Sequence, residues 1–540
     1  MSWPEVWDYI VVGGGIAGSV VSSRLREQDP SLKILLIEAG PDVSERTDIT
    51  YVNSTNLIMG DFDYNYQTVP QANMGNRQIG NSGGRALGGG SVINTGGWIR
   101  GPSSDYDLWA DTVADQRWSY AGQLPYFRKS EDWCDPKQNP DQHGLGGPIY
   151  AASISSTGRK YPLREKVLES WRQLGVDPLP ELDANAGRIL GVGELYENRR
   201  DGKRQIASSV YSLAGVTVLT ETVVESVILS AEGEKGAGMQ ATGVRLANGT
   251  EYRAKRVILS AGAYRTPQLL MLSGIGGDLA AHGIEQKVDL PEVGKNLADH
   301  VMFYMFWRLK DPKQSYALGS DNPLFTEPQF GLGNANDFLV STAVPTSAEG
   351  ANEDTAAVME NFILYMPLPS MDPVIPMDGT HITTVMVSLH PTSRGRVTIS
   401  SADAQAPPVI DPNYLSTESD RHVWRASLRR MAALVAGDGT TLGREIVESE
   451  TPPSAFTPMS VDADDAYLDA RVAAGAISTY HGHGTCAMGK VVDSSLRVKG
   501  VSGLYAVDAS VIPVVIGAHI QAAVYALAEQ AAVIVAGDDQ

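Results

Sequence analysis

The sequence predicts a mixed α/β chain, α+β in part, in which a Rossmann-like parallel sheet is joined to an antiparallel sheet flanked by helices. Three observations predict it. Near the N-terminus the apolar run Tyr9-Ile10-Val11-Val12 feeds a glycine turn and then a helical pattern. Alternating stretches such as His381 to Val387 and Arg396 to Ile399 read as further strands. Near the C-terminus Ile520, Ala523, Val524, Leu527, Ala528 and Ala531 recur at helical spacing, in a helix that begins near His519.

A chain of 540 residues, 43% hydrophobic and 20% charged, is an ordinary globular composition and is long enough for two or three domains or one large domain with insertions. Its formal charge of -20, from 43 basic and 63 acidic side chains, argues against a nucleic-acid partner, which needs clustered Lys and Arg. Two cysteines, Cys134 and Cys486, describe a fold that does not rest on disulfides. No uncharged apolar run reaches the roughly 18 to 20 residues that span a bilayer. The N-terminal segment enters its first strand without the basic, apolar and small-residue order of a secretion signal. The expectation is therefore a cytoplasmic protein; a shortened form of a secreted one reads the same way. Asn53-Ser54-Thr55 and Asn248-Gly249-Thr250 match the glycosylation acceptor pattern, which matters only in the second case.

The turn Gly13-Gly14-Gly15-Ile16-Ala17-Gly18 has the spacing of a dinucleotide loop. Its glycines allow tight turning, close approach of a pyrophosphate and close helix packing, and the helix N-terminus then faces the phosphates. Lys33 to Ile37 supplies the next strand, and Glu38 ends it twenty residues after Gly18. A carboxylate there can accept from ribose hydroxyls and repels a 2′-phosphate. An adenine dinucleotide is expected, with NAD and FAD both open at this point. A second glycine-rich loop, Gly84-Arg85-Ala86-Leu87-Gly88-Gly89-Gly90-Ser91-Val92-Ile93-Asn94-Thr95-Gly96-Gly97-Trp98, lies far along the chain and suits a long cofactor lying across the protein.

That loop, continued to Asp107, resembles the first signature of the glucose-methanol-choline (GMC) oxidoreductases, and Gly262 to Gly276 resembles the second. Val293 to His300, Ser393 to Val397, Asp411 to Leu415 and Gly503 to Ser510 are similar to the family as well, so the resemblance covers nearly the whole chain. It implies FAD, bound by a domain assembled from 1-134, 200-305 and 490-540. It also implies a substrate domain over 306-489, with 135-199 reading as a loop-rich lid or arm around a helix from Leu163 to Leu174. Gly13, Gly15 and Gly18 would then hold the pyrophosphate and Glu38 the adenosine ribose. Val224 would meet the adenine, Gly89, Gly90, Asn94, Thr95 and Gly96 would run along the flavin, and Asp508 and Ala509 would approach the ribityl and phosphate region. Ile93 stands where some relatives carry a histidine bonded to the flavin, so a non-covalent FAD is expected.

The stretch Ser478-Thr479-Tyr480-His481-Gly482-His483-Gly484-Thr485-Cys486 holds two of the chain's nine histidines. Three roles are open to them: a metal site completed by Cys486, a base beside a cofactor, or a structural turn. A metal needs three or four converging ligands, and no further acidic or Cys-rich motif finishes this one, so no metal is expected. The resemblance implies that His481 and His519 face the reactive edge of the flavin. Moving hydride from an alcohol carbon to flavin N5 requires the hydroxyl proton to leave as well, and a neutral imidazole suits that near neutral pH. His481 reads as the base and His519 as its partner, with the roles open to exchange or sharing. The amides at the N-terminus of the last helix would favour negative charge on the reduced flavin. His483 reads as a hydrogen-bonded structural ring or one that tunes the flavin, and Cys486 as a small buried residue. Tyr480 and Trp98 are candidate substrate walls, with core packing the alternative for each.

The resemblance implies that the strands between Val301 and Ser401 form an antiparallel sheet roofing the flavin, followed by a helix from Asp420 to Ala436. Pro312 to Gly350, with Phe325, Phe330 and Phe338, is expected to line the substrate path. Arg24, Arg85 and Arg100 read as partners of carboxylates or phosphates. The resemblance implies an enzyme that oxidises the CH-OH group of a small, primary and aromatic or allylic alcohol, with O2 or a quinone-like acceptor. The alternatives are a sugar oxidoreductase, or a lyase, cyclase or photochemical decarboxylase on the same scaffold.

Overall fold

The computed structural model describes residues 6–51, 57–135, 139–231, 238–345 and 357–537. Its first sheet is built around the strand Val6–Val12, whose last four residues are fully buried. That strand pairs in parallel with Ile34–Ile37 on one side and Glu251–Leu259 on the other. Thr217–Leu219 extends the parallel part beyond Ile34–Ile37, and Leu504–Ala506 joins the end of Glu251–Leu259. Both faces are covered over residues 9–12, Ile34–Ile37 and residues 257–259, which is why these parts of the strands read as apolar runs. Met239–Leu246 and Val224–Ala231 continue the sheet antiparallel, so its strands come from three distant stretches of sequence.

The second sheet is antiparallel throughout. Its order is Val447–Glu450, Val301–Leu309, His381–Ser388, Ala357–Leu364, Phe338–Val344 and Gly191–Glu194. The last strand comes from the stretch expected to form a loop-rich lid, which also contains the helix Arg164–Gln173. Val301–Leu309 crosses the boundary expected at 305, and one apolar core runs through both sheets, from Val11 to Trp307 and Leu527. Gly395–Thr398, expected in the roof, instead pairs with Lys295–Leu297 and Val409–Asp411 in a separate small sheet. Pro391 has no N–H to continue the roof ladder, and Asp420 accepts from the amides of Thr392 and Ser393, turning the chain away. Asp420 sits in the first turn of the helix Glu418–Val435, whose N-cap Thr417 accepts from the Asp420 amide.

The helix Gln521–Gly537 is buried on nearly every side. Its one buried carboxylate, Glu529, is held by Arg24 at 2.7 Å, Lys129 at 2.8 Å and the Tyr211 hydroxyl at 3.0 Å. A paired charge is the form in which an acid survives there. Among the described residues no helix is long and apolar enough to cross a membrane.

Candidate functional site

A cavity of about 1230 Å³ runs from the two glycine loops to the histidines. At its first end the walls are backbone. Gly13 has φ +101°, and a Cβ there would lie 2.3 Å from the Ser260 carbonyl oxygen. A Cβ on Gly18 would lie 1.9 Å from the Gly13 oxygen; Gly18 is off the cavity and packs the helix Ile16–Gln28 onto the turn. The second glycine loop lies directly against the first. The Gly88 amide donates to the Gly14 carbonyl at 2.7 Å, and a Cβ on Gly89 would come within 2.7 Å of the Gly15 Cα. Two loops far apart in sequence therefore form one cradle, which only hydrogen can line at these positions.

Glu38 faces this cradle. Its Oε2 accepts from the Gly14 amide and its Oε1 from the Gly40 amide, each at 2.8 Å. Burial pushes its pKa up, against the pull of those amides and of Arg85, and the remaining lone pairs are free for hydroxyl donors. Val224 lines the cavity on the same side, and Asp508 and Ala509 line it further along. Asp508 is fixed by the Gly262 amide at 2.9 Å, Thr266 Oγ1 at 2.6 Å and the Ser510 amide at 2.8 Å. Gly90, Asn94, Thr95 and Gly96 continue the wall. Asn94 donates to Gln521 Oε1 at 3.1 Å and is held by Arg204, while Thr95 accepts from Arg199 at 3.1 Å. Ile93 also lines the cavity and offers no nucleophile.

At the other end the walls are side chains. Ile477–Ser478 pairs antiparallel with the start of Val301–Leu309, and the pairing continues as the Thr479 amide donates to the His300 carbonyl. Ala298 and His483 exchange amide bonds further on. Between them Tyr480 takes φ +65°, a costly value for a bulky residue, and both Tyr480 and His481 border the cavity. The two paired segments bring the rings of His300 and His481 together, Nδ1 to Nδ1 at 3.0 Å. Asp299 accepts from the His481 amide at 2.9 Å, from Ser478 Oγ at 2.6 Å and from the Tyr414 hydroxyl. Burial pushes the Asp299 carboxyl up to about 6 despite those donors.

His519 stands 4.9 Å from His481, ring centre to ring centre, with the planes at 76°. Its Nε2 lies 2.7 Å from Oε1 of Glu360, a fully buried acid on the roof strand Ala357–Leu364. Burial drives the His481 pKa well below the ordinary histidine value, and the neighbouring His519 and His483 push the same way. Burial acts likewise on His519, but the Glu360 carboxylate outweighs it and the pKa is raised.

His483 points away from the cavity. Its Nδ1 lies 2.8 Å from the His481 carbonyl, and burial holds its pKa down to about 4. Cys486 is fully buried, and among the described residues no three His, Cys, Asp or Glu side chains group as metal ligands. Trp98 is a correction. It is fully buried and absent from the cavity wall: its Nε1 donates to Glu131 at 3.0 Å and its ring lies 5.6 Å from that of Tyr525. The glycines before it do line the cavity, but the turn at Gly96, with φ +82°, is followed by a tryptophan that lies in the core. Of the three phenylalanines expected along the substrate path, Phe330 reaches the cavity, whereas Phe338 packs under Arg164 and Phe325 against Phe330. Arg24 and Arg100 pair with the carboxylates of Glu529 and Glu131, while Arg85 borders the cavity.

Sequence reasoning missed Glu360 and gave His300 and Asp299 no role beyond their motif. An acid within the mostly apolar run Ala357-Val358-Met359-Glu360-Asn361-Phe362-Ile363-Leu364, which Asn361 also interrupts, was the available signal for the first.

The backbone cradle, the buried carboxylate and the length of the cavity suit FAD. Comparison with known proteins agrees. Two models of the GMC oxidoreductase family match residues 7–302 and 391–528. The chain is 39% identical to the GMC-type oxidoreductase acuG of Aspergillus aculeatus over 98% of both chains. It is 31% identical to pyridoxine 4-oxidase of Microbacterium luteolum over 97% of this chain and 98% of that one. The crystal structure of pyridoxine 4-oxidase from Mesorbium loti superposes with a TM-score of 0.82 at 30% identity, covering 97% and 98% of the two chains. The chain belongs to the GMC oxidoreductase family and is an FAD-dependent oxidoreductase.

Proposed function

We propose that the enzyme oxidises the CH-OH carbon of a small primary alcohol, aromatic or allylic, to the aldehyde, with FAD held non-covalently and reoxidised by O2 or a quinone-like acceptor. When bound, FAD supplies the hydride acceptor. The two imidazoles of His481 and His519, 4.9 Å apart on the cavity wall, carry the reading. Between them they can hold an alcohol oxygen and take its proton, which restricts the substrate to poses that present its C–H in one direction. Met302, Leu318, Phe330, Phe362, Leu364 and Met366 give the wall a broad apolar stretch, with Asn334 and Asn336 as its polar members. Such a wall favours a hydrocarbon or ring-bearing alcohol over a sugar, whose many hydroxyls would be left without partners. The name of one relative, pyridoxine 4-oxidase, supports including pyridoxine among the substrates tried.

The test is an anaerobic absorbance titration of the purified yellow protein with benzylic, allylic, aliphatic and sugar alcohols and pyridoxine, followed by air. Bleaching by the ring-bearing and allylic alcohols is expected, with recovery on admission of air if O2 is the acceptor. Bleaching by sugars alone would overturn the substrate class. A spectrum that no alcohol changes would overturn alcohol oxidation in favour of a lyase, cyclase or photochemical reaction.

A further inference from the structure

We propose that Asp299 aims His481: its carboxylate stands in for the ladder carbonyl missing behind residues 480–482 and so fixes that imidazole on the cavity wall. Of the consequences, only the effect on rate rests on the alcohol-oxidation reading.

Register creates the need. Val301 pairs with Ser478, and the Thr479 amide still donates to the His300 carbonyl at 3.0 Å. Continued without interruption, that register would set Ala298 opposite His481, but Ala298 pairs with His483 instead. Residues 480–482 therefore stand opposite Asp299 alone, a bulge with two residues more than the ladder can match. All three border the cavity, whereas His483, back in the ladder, does not. A bulge of this kind re-aims a side chain, and it leaves amides that the ladder no longer serves.

Asp299 supplies the acceptors. Its Oδ1 accepts from the His481 amide at 2.9 Å, and its Oδ2 accepts from Ser478 Oγ at 2.6 Å and from the Tyr414 hydroxyl. Ser478 Oγ in turn accepts from the Tyr480 amide at 2.8 Å. The amides of Tyr480 and His481 are thus tied, one through a hydroxyl and one directly, to a single carboxylate. Between these two bonds Tyr480 holds its φ of +65°, a value that a bulky residue keeps only where its surroundings over-determine it. On the other side a Cβ on Gly482 would fall 2.3 Å from the Tyr264 hydroxyl oxygen, and that hydroxyl donates to Asn81 at 3.0 Å. The bulge is held from both sides, and its His481 ring meets that of His300, Nδ1 to Nδ1 at 3.0 Å.

A carboxylate suits this task better than a neutral acceptor. It takes several donors at once through bonds that its charge strengthens, and those donors are what allow the charge to stay buried. Asp299 is buried off the cavity wall and bonds the main chain of His481 rather than its ring, so it is a positioning residue.

The test uses the FAD-loaded enzyme. Asp299→Ala removes both oxygens, and the limiting first-order rate constant of anaerobic flavin reduction by an alcohol should fall by roughly 10²-fold, the cost of misplacing a reacting group by about an ångström. That constant does not depend on how much of the protein is folded, so a role in stability alone leaves it unmoved. Half-saturation by the alcohol should change far less, because the apolar wall is untouched. Asp299→Asn keeps an oxygen for the His481 amide but turns an NH2 group toward Ser478 and Tyr414, and its rate constant should lie between those of wild type and the alanine variant. A wild-type rate constant in Asp299→Ala, or in Asp299→Asn if the alanine variant does not fold, would overturn the proposal. Crystal structures of the same FAD-loaded variants give a readout that needs no alcohol: Tyr480 should leave positive φ and the contact between His481 and His300 should lengthen, most in Asp299→Ala. Residues 480–482 superposing on wild type in every variant that folds would overturn the proposal at any rate constant. If no alcohol bleaches the wild-type flavin, the oxidation reading falls, and a displaced bulge in the variants would still leave Asp299 as the residue that places His481.

Discussion

The two ends of the cavity are built from different materials. At the glycine end the wall is main chain: Gly13 and Gly89 line it at positive φ, where a single added carbon would strike backbone, and Gly18 behind it packs the helix onto the turn just as closely. At the histidine end the wall is a side-chain network drawn from residues 300, 360, 481 and 519. Backbone sites are rigid and unforgiving, because nothing flexible can move aside for an added atom. Networks of imidazole and carboxylate are set by where protons lie, so they can be altered chemically without moving an atom of the fold.

The comparison breaks most visibly at Gly18. Gly18→Ala places a carbon within 1.9 Å of the Gly13 oxygen, and neither the helix nor the turn can yield without opening the cradle. Overpacking of this kind costs roughly 3 kcal/mol, so FAD affinity should fall by roughly 10²-fold. The measurement is flavin absorbance per protein after gel filtration. A fully yellow variant would show that the turn does not shape the cradle.

A change at the opposite end should leave the colour and alter the chemistry. Glu360→Gln keeps an acceptor for His519 Nε2 and removes the charge. Because Glu360 raises the His519 pKa, the ring is an imidazolium below that raised value and cannot accept a proton. Flavin reduction should therefore be lost as pH falls through a midpoint above the ordinary value of about 6.5. In Glu360→Gln the midpoint should move to lower pH and the plateau should drop by roughly tenfold, since a weaker base drives the transfer less. His481 faces the same space, but burial lowers its pKa well below the ordinary histidine value, so this titration is not its own. A pH profile identical to wild type would show that His519 is not the titrating base.

The same contrast explains what the sequence disclosed. A glycine turn leaves a local mark, since each residue must be glycine for a reason that acts within a few ångströms. The turn at Gly13, the second loop at Gly89 and the helix toward His519 were readable for that reason, although their direct contact was not. The histidine network left fragments. His481 and His519 stood out, but the ring that faces His481 was hidden as His300 at the end of a motif, and Glu360 lay unmarked in a roof strand. Their meeting depends on the pairing of Val301 with Ser478 and of Glu360 with Val387, both far apart along the chain. Periodicity identifies a strand, but only register says what stands opposite.

Trp98 marks the border between the two kinds of wall and carries the smallest expected effect. It follows Gly96 and Gly97, which line the cavity, so sequence position alone puts it beside the substrate. In the fold its indole N–H belongs to Glu131, which also holds Arg100 and lies 3.1 Å from His143 Nδ1 in a fully buried cluster. Trp98→Phe keeps an aromatic ring against Tyr525 and deletes that one donor. A hydrogen bond to a buried charged group is worth roughly 1.5 to 3 kcal/mol, and the deletion should lower unfolding stability by about that amount. FAD content, KM and the rate of flavin reduction should stay as in wild type, because no atom of the indole reaches the cavity. Denaturant unfolding and anaerobic reduction on the same preparation separate the cases: lost stability with intact kinetics places Trp98 in the core, whereas a changed KM with unaltered stability would return it to the substrate wall.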